Sequence, residues 1–328
     1  MGVMMDSAVV AVVYHSDPEV LLECVWSILE SMPADGVVVF DTSFSGEARR
    51  VAQVCGVTWQ DGSRNAGYAW ALSRVADEWA GKFDVFVASN SDVRFVDGAL
   101  ARLVAHVRDL RGVCYALQKR KTGAVVRYSV QPQLSRADAV ARWLGFGRRR
   151  IGSIAESTVE RAAESVAPEM IPAGYAGSGA VIAVPADVWV ASGGLDRDYF
   201  LFEEDRSFGT RLEELGVRAY LCGDCVVQHD GGFSSRGLTV AGTLECVVSE
   251  QIAWRKHRVG PGILLWALQL AGLVGRAAAT IVRSRPRERR VYVSVLGALI
   301  GGVRRGGARL YGLDGLRVPA AQARGIRG

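Results

Sequence analysis

The stretch from Tyr199 to Gly216, YFLFEEDRSFGTRLEELG, sets Glu203, Glu204 and Asp205 directly behind Tyr199, Phe200, Leu201 and Phe202. A carboxylate beside an apolar wall loses hydration and its proton affinity rises, which suits it to take a proton near neutral pH. The competing reading is an acidic first turn of a helix running through Arg211, where negative charge meets the helix dipole; on it Glu203 is simply solvated. Asp41, Asp92 and His229 stand at the ends of predicted strands. One carboxylate such as Asp92 can hold a hard divalent ion when substrate phosphates supply further oxygens. An imidazole at His229 would tilt that ion from Mg²⁺ toward Mn²⁺. Asp41 is placed to accept hydrogen bonds from a ribose or base. The RNAG turn offers Asn65, and at Gly67 a close backbone approach ahead of a helix N-terminus that favours phosphate. Each piece also has a bland alternative: helix cap, turn, or satisfied structural histidine.

These residues need a frame, and the first half of the chain supplies one. AVVAVVY is a continuous β-branched run, as in a strand buried on both faces. SDPEVLLECVWSILESM follows as a helix, with Asp17 as N-cap and Pro18 at its first position. GVVVF ending at Asp41, VTWQ, DVFVAS and GVCYALQ read as further strands. SGEARRVAQVCG and AGYAWALSRVADEWAG read as helices between them. Such an order implies an α/β fold with a mostly parallel sheet and helices on both faces, binding ligands beyond the carboxyl ends of the strands. From Gln118 to Ala173 the pattern loosens: KRKTG reads as a turn and WLGFGRRR as a basic loop. GAVIAVP is then a strand, ADVWVAS and RSFGTRLEELG are helices, and VRAYLC is a strand ending near VVQHDGG. The turn YHSDPE after the first strand lacks G-x-G-x-x-G, which argues against a dinucleotide-binding oxidoreductase.

Cysteines at 24, 55, 114, 222, 225 and 246 are too few for a disulfide scaffold, and the N-terminus lacks a secretory signal pattern. Both point to a reducing compartment. CGDC (Cys222–Cys225) with His229 spells C-x2-C-x3-H, a zinc fragment without an evident fourth ligand, on a predicted strand where packing is the simpler role. From Gln251 on, the chain carries 15 Lys and Arg against Glu288 and Asp314, while the first 250 residues carry 24 against 32 acids. A basic tail on an acidic body suggests a polyanionic partner. Little aromatic interleaving argues against nucleic acid. The uncharged run Val259–Gly275 is 17 residues long, short of the roughly 20 needed to span a bilayer. With its flanking arginines and Trp266 it fits a helix lying in the interface of an anionic membrane. A true span, or a core helix of a C-terminal bundle or dimer contact, are the alternatives. The division is a domain over 1–237 and a basic, apolar helical extension over 238–328. The Arg-, Ala-, Gly- and Val-rich composition is that of a GC-rich bacterial source.

Order and spacing narrow the reading. DTS after the second strand, NAGYAWALS, NSDV, the segment SGAVIAVPADVWVASGGLDRDYFLFEEDRSFGTRLEELG, and VVQHDGG together resemble family 2 glycosyltransferases of the GT-A fold. The nearest likeness is the bacterial rhamnosyltransferase-like branch, over residues 8–232, with Gly193–Arg211 its most specific part. The resemblance implies a metal-dependent, inverting transfer from a nucleotide-diphosphate sugar, dTDP-rhamnose or a UDP-sugar. The acceptor would be a glycan or lipid-linked hydroxyl at the inner face of the plasma membrane, in cell-surface polysaccharide or glycoconjugate assembly. It places Asp41, Ser43, Asn65, Gly67, Asn90 and Asp92 on the donor. Asp92 and His229 would hold Mn²⁺ or Mg²⁺, and Asp205, or next to it Glu204, would be the general base. Gly179, Tyr199, Phe200 and Ser207 would lie on the acceptor side. Asn90 replaces the leading Asp of the family's D-x-D, and Ser207 replaces the second Asp of its E-D-x-D. Ser207 keeps open a catalytically weakened membrane scaffold, or another nucleotide-binding transferase, as the alternative. The C-terminal helices are also a candidate homo-oligomer contact.

Overall fold

The computed structural model describes residues 7–62, 64–229 and 239–304. The expected strand end at Asp230–Gly232 and the basic tail beyond Arg304 lie outside them. β1 (Ala8–Tyr14), α1 (Pro18–Leu29), β2 (Val37–Asp41), α2 (Glu47–Cys55), β3 (Thr58–Asp61), α3 (Tyr68–Glu78) and β4 (Val85–Asn90) follow the expected alternation. Asp17 caps α1 by accepting from the amides of Glu19 and Val20. β5 (Val93–Phe95) and α4 (Ala99–Leu110) come next, where the sequence pattern gives no element, then β6 (Val113–Lys119) and β7 (Val130–Pro132). α5 (Arg136–Leu144), α6 (Arg148–Glu164), β8 (Glu169–Met170), β9 (Tyr175–Gly177) and β10 (Val181–Pro185) follow. α7 (Ala186–Ser192), α8 (Glu204–Glu214) and β11 (Ala219–His229) lead to α9 (Val240–Lys256), α10 (Gly262–Val282) and α11 (Pro286–Arg304).

The main sheet runs β3-β2-β1-β4-β10-β6-β11-β5, with β8 on β11, while β7 and β9 form a separate ribbon. β1, β2, β3 and β4 pair in parallel, as do β6 and β11. β10 enters antiparallel between β4 and β6, so the predicted fifth strand is not the neighbour of the fourth. In register, Tyr14 faces Asp41 and Val13 faces Asn90, which brings the carboxyl ends of β1, β2 and β4 to one edge. β11 arrives at the same edge from the other half, with His229 opposite Val93. Leu21, Val25 and Ile28 of α1 and Leu100 and Leu103 of α4 pack on one face of the sheet. Leu72 of α3, Val159 of α6, Trp189 of α7 and Phe208 of α8 pack on the other.

WLGFGRRR is not a loop: it is the end of α5, a three-residue turn at 145–147, and the start of α6. Ser135 caps α5 through the Asp138 amide, and Gly145 closes it in the left-handed conformation, both ordinary helix signals. The helix was hard to see because its apolar face does not meet the sheet. Ala139 and Trp143 instead join Trp254, Leu265, Leu268, Leu273, Val295 and Leu299 in a third core built with α9, α10 and α11. Gly272 lets α10 approach, since a Cβ there would lie 2.6 Å from the Trp143 carbonyl oxygen. Arg276 reaches back from α10 to the Arg142 carbonyl at 2.7 Å and over the Trp143 ring.

A buried ionic knot joins α5, α8 and α9. Arg206 is 2% exposed and bonds both oxygens of Glu203 at 2.7 and 2.8 Å, the carboxylate of Asp138, and the Pro132 carbonyl at 2.6 Å. Arg142 adds contacts to Glu203 at 3.2 Å and Glu250 at 3.8 Å. Glu203 is therefore buried and paired, not solvated as the sequence suggested. α10 is the one helix among the described residues long and apolar enough to cross a membrane, with mean hydropathy 1.5 over a window of which 33% is buried. Leu265, Leu268 and Leu273 face the bundle, while Ile263, Val274, Ile281 and Val282 are exposed.

Removing the Arg206 charge leaves Glu203 and Asp138 buried with only the partly exposed Arg142 as cation. Arg206→Met should cost about 3–5 kcal/mol, read as a lower urea midpoint at unchanged m value. A loss below about 1 kcal/mol would show that the knot is screened like a surface pair.

Candidate active site

The edge where β1, β2, β4 and β11 end collects the polar residues. Asp41 closes β2, and its Oδ1 accepts from the Ser43 amide and hydroxyl, both at 2.7 Å, and from the Phe44 amide at 3.3 Å. That turn fixes Ser43 beside Asp41, with one carboxylate oxygen spent on it. Asn90 closes β4, where its amide donates to the Ala180 carbonyl at 2.9 Å. Two residues on, Asp92 Oδ1 lies 3.3 Å from His229 Nε2, with both side chains mostly buried. His229 Nδ1 lies 2.8 Å from Gln118 Oε1.

This donor set fits a divalent cation. Gln118, with its amide oxygen toward the ring, takes the proton on Nδ1, so a neutral imidazole turns its Nε2 lone pair toward the Asp92 carboxylate. Two acceptors facing each other call for a proton or a metal ion between them. An imidazole with a carboxylate also suits Mn²⁺. Asp92 and His229 are thus brought together as the sequence reading required, and Gln118 is the residue it missed. Gln118 ends the buried run of β6, and only the parallel register with β11, Gln118 opposite Val227, shows which histidine it meets.

Opposite stands Asp205, the second residue of α8. Its Oδ2 accepts from Gln131 Nε2 at 2.8 Å and the Gly179 amide at 2.9 Å, and its Oδ1 from the Arg206 amide at 2.8 Å. A carboxylate offers about four acceptor sites, so one on Oδ1 stays open. Burial first, and then the charge of Glu203, raise its pKa above the usual carboxylate range, against the pull of the Gly179 and Arg206 amides and the Arg206 charge. Glu204 is more deeply set: among the described residues its Oε2 has no partner, and burial followed by the Asp205 charge hold its carboxyl well above that range. Glu204 is built to stay protonated, which leaves Asp205 as the base of the pair. Tyr68 connects the two sides. Its hydroxyl donates to the Gly179 carbonyl at 3.0 Å and is pushed up by burial and then by the charges of Glu204, Asp205 and Asp92.

Several sequence-derived roles move. Gly67, held by Asn65 Oδ1 at 3.0 Å, takes φ 100°, and an added Cβ would lie 2.2 Å from the Phe200 carbonyl oxygen. The close approach is to Phe200, whose carbonyl also takes the Tyr68 amide at 3.0 Å, so the α3 N-terminus is stoppered by the chain itself. Tyr199 is fully buried, under Lys256, and does not line an acceptor surface. Ser207 is buried too, and its Oγ lies 2.8 Å from His257 Nε2 of the turn after α9. Where the resembled family has an acid, this chain fastens its C-terminal helices. Gly179, expected on the acceptor side, is the amide that holds Asp205 Oδ2. Cys222 and Cys225 do not group with His229, because a break in β11 turns them toward α4 instead. Arg211 bonds the carbonyls of Ser192 and Gly194, tying α8 to the end of α7.

Comparison with known proteins bears on the family of the first half of the chain and on the fold. Residues 8–157 match the family model described as Glycosyl transferase family 2, a little under half of the chain, holding Asp41, Asn65 and Asp92 but not Asp205 or His229. No curated protein matches the sequence. In fold the chain is similar to the mannosyltransferase PcManGT from Pyrobaculum calidifontis, solved in complex with GDP-Man and Mn²⁺. The identity is 18%, the TM-score 0.51, and the match covers 91% of this chain and 86% of that one. It is similar to residues 1–349 of S. aureus TarS at 12% identity and TM-score 0.50, over 98% of this chain and 92% of that one. GalNAc-T7, solved with UDP, GalNAc and Mn²⁺, gives 12% and 0.51, over 93% of this chain and 58% of that one. At such identities the likeness speaks for the fold alone. The first half of the chain thus matches a family 2 glycosyltransferase domain, and the whole has the fold shared with these three structures.

Proposed function

We propose that this protein is an inverting glycosyltransferase, moving a sugar from a nucleotide-diphosphate donor to an acceptor hydroxyl. The observation that supports this is the Asp92–His229 pair at the strand ends together with the Asp205 carboxylate held by the amide of Gly179, whose carbonyl also takes the Tyr68 hydroxyl. Asp41, Ser43 and Asn65 receive the nucleoside. Asp92 and His229 would hold Mn²⁺ or Mg²⁺, which on the diphosphate supplies positive charge where the leaving group turns negative. Gln118 keeps the His229 ring in its ligand tautomer. Oδ1 of Asp205 takes the acceptor proton as the hydroxyl oxygen bonds the sugar C1 from the face opposite the diphosphate. The C1–O bond breaks and its electrons leave with the nucleotide diphosphate. Gly179 and Gln131 fix the carboxylate for that transfer.

The donor is dTDP-rhamnose or a UDP-sugar by the resemblance in motifs, and the acceptor is a glycan or lipid-linked hydroxyl in cell-surface polysaccharide or glycoconjugate assembly. The membrane part of the proposal is supported by the exposed face of α10 next to exposed Arg283, Arg285, Arg287, Arg289 and Arg290. That surface suits a helix lying on the anionic inner face of the plasma membrane. A weakened transferase serving as a membrane scaffold is the second reading, favoured only by Ser207 standing bonded to His257.

Released nucleotide, measured with a panel of UDP-, dTDP- and GDP-sugars and Mn²⁺, separates these readings. Asp205→Asn should lower turnover by about 10²–10⁴-fold; undiminished turnover removes Asp205 as base, and no turnover of any donor by the wild type favours the scaffold. The pH profile gives an independent check. A base with a raised pKa is protonated, and idle, below that value, so kcat/KM should fall on the acid side above the ordinary carboxylate range. Glu203→Gln removes a charge that raises the Asp205 pKa and should move this limb to lower pH; a limb that stays put contradicts the assignment. Replacing Arg287, Arg289 and Arg290 with Gln, at about 1 kcal/mol per charge, should weaken binding to phosphatidylserine vesicles by roughly a hundredfold. Unchanged co-sedimentation would place the membrane contact elsewhere.

A further inference from the structure

β11 breaks its ladder where it passes α4, and the break gathers sulfur and nitrogen. Cys222 pairs with Ala116 and Val226 with Leu117, so Gly223, Asp224 and Cys225 are looped out between them. In an unbroken strand, residues three apart point to opposite faces. Here the bulge turns Cys225 back, and both thiols enter the core on the α4 side. Bulges re-aim side chains in this way, and this one is built to stay. A Cβ on Gly223 would lie 1.7 Å from the Ala162 carbonyl oxygen and 2.6 Å from that of Ser165, so only glycine fits.

From α4, His106 meets the two cysteines: one imidazole nitrogen and the sulfurs of Cys222 and Cys225 lie within 4.8 Å of one another. The imidazole is held by Asp224, whose carboxylate oxygens lie 3.1 and 3.0 Å from His106 Nε2. Arg102 clasps the Asp224 carbonyl through Nε at 3.1 Å and a terminal nitrogen at 2.8 Å, pinning the bulge to the helix. Both cysteines are buried and free, while His106 is partly open to solvent and gives an ion a way in. Two sulfurs and a nitrogen form the borderline-soft set that zinc prefers, unlike the oxygen-rich sets of Mg²⁺ or Ca²⁺. A carboxylate behind a histidine is the usual outer support of such a ligand.

We infer that His106, Cys222 and Cys225 form a zinc site, with Asp224 orienting the imidazole and water in the fourth tetrahedral position. The ion clamps α4 to β11, and so steadies the two segments that carry Asp92 and His229. β5, which follows Asp92, leads into α4, and His229 lies four residues beyond Cys225 on β11. The site is separate from the Asp92–His229 pair and does not depend on the transfer reaction.

The test uses the full chain, purified under reducing conditions and loaded with Zn²⁺ or Co²⁺ alone. The wild type should retain one equivalent of zinc through gel filtration, and the cobalt form should show a thiolate-to-cobalt charge-transfer band. Cys225→Ser should lose both while keeping the wild-type circular dichroism. Asp224→Asn should weaken binding about 10–100-fold. The band should survive in Cys246→Ser, which removes a thiol on α9, and in Asp92→Asn, which disables the other candidate metal pair. If Cys225→Ser does not fold, His106→Gln serves in its place, with a band weakened or shifted on loss of the nitrogen. A folded wild type without the band overturns the inference. So does a band left unchanged in Cys225→Ser, or in His106→Gln where that variant serves, or a Cys222–Cys225 disulfide found by mass spectrometry under the same reducing conditions.

Discussion

A guanidinium almost shut off from solvent stays charged only if its surroundings answer it, and at Arg206 the answers come from three separate segments. Burial pulls its pKa down, yet Glu203 and Asp138 more than offset that and raise it. Such a buried ion group is at best weakly stabilising in net terms, because desolvation consumes most of the attraction. Its effect here is positional. Pro132, bonded to the Arg206 side chain, adjoins Gln131, and Asp205 adjoins Arg206 itself, so the knot brings Gln131 Nε2 and Asp205 Oδ2 to 2.8 Å. Phe202 and Glu203 take left-handed backbone at φ 69° and 65° to enter α8, a conformation costing about 1–2 kcal/mol per residue. The ion pairs of Glu203 hold that turn in place, and the turn delivers three acids with three fates: Glu203 ion-paired, Glu204 neutral, Asp205 poised.

The same knot makes the C-terminal helices part of the site's frame. Glu250 of α9 takes the Trp143 indole at 2.6 Å and the Gln269 amide at 2.9 Å, in contact with Arg142 of α5. Ser249 donates to the Leu201 carbonyl at 2.8 Å, and Lys256 pairs with Asp196 and Asp198 at 2.6 Å. Together with Ser207 and His257, these contacts tie the segment 196–207 to α9 and the turn after it. A membrane seated against α10 would therefore lie against helices that directly brace the acceptor side of the proposed reaction.

How much of this was readable in advance depended on which physical signal each element carries. β1, β2 and β4 are buried on both faces and show it as Val-rich, largely apolar runs, and Asp17-Pro18 marks a helix start by local chemistry alone. Asp92 and His229 were legible because strand ends converge in any sheet of this order. α5 was not, since its apolar face answers to helices more than a hundred residues away, and sequence periodicity gives no hint of that partner; α6, which packs on the sheet through Ala155, Val159 and Ala162, was missed as well. Gln118, Gln131 and Tyr68 were missed for a related reason: each gains its role from register or from a contact across the fold. Arg211 shows the reverse case. Its fixed spacing from Gly193 and Gly194 drew the reading to this segment, but the spacing serves to tie two carbonyls and turn α7 into α8. The bulge in β11 left no trace in the pattern, which is why CGDC read as strand packing and His106 did not enter it at all.

The central claim is that one edge of the sheet holds a divalent ion at Asp92 and His229 and presents Asp205 to the acceptor beside it. A crystal structure of the protein with UDP and Mn²⁺, with the ion located by its anomalous scattering, tests this most directly. The account predicts manganese within coordination distance of Asp92 Oδ1 and His229 Nε2, the diphosphate on its open side, and Asp205 Oδ1 facing the space beyond the β-phosphate. Manganese bound away from that pair, or a diphosphate seated where Asp205 cannot reach an attacking hydroxyl, would contradict it.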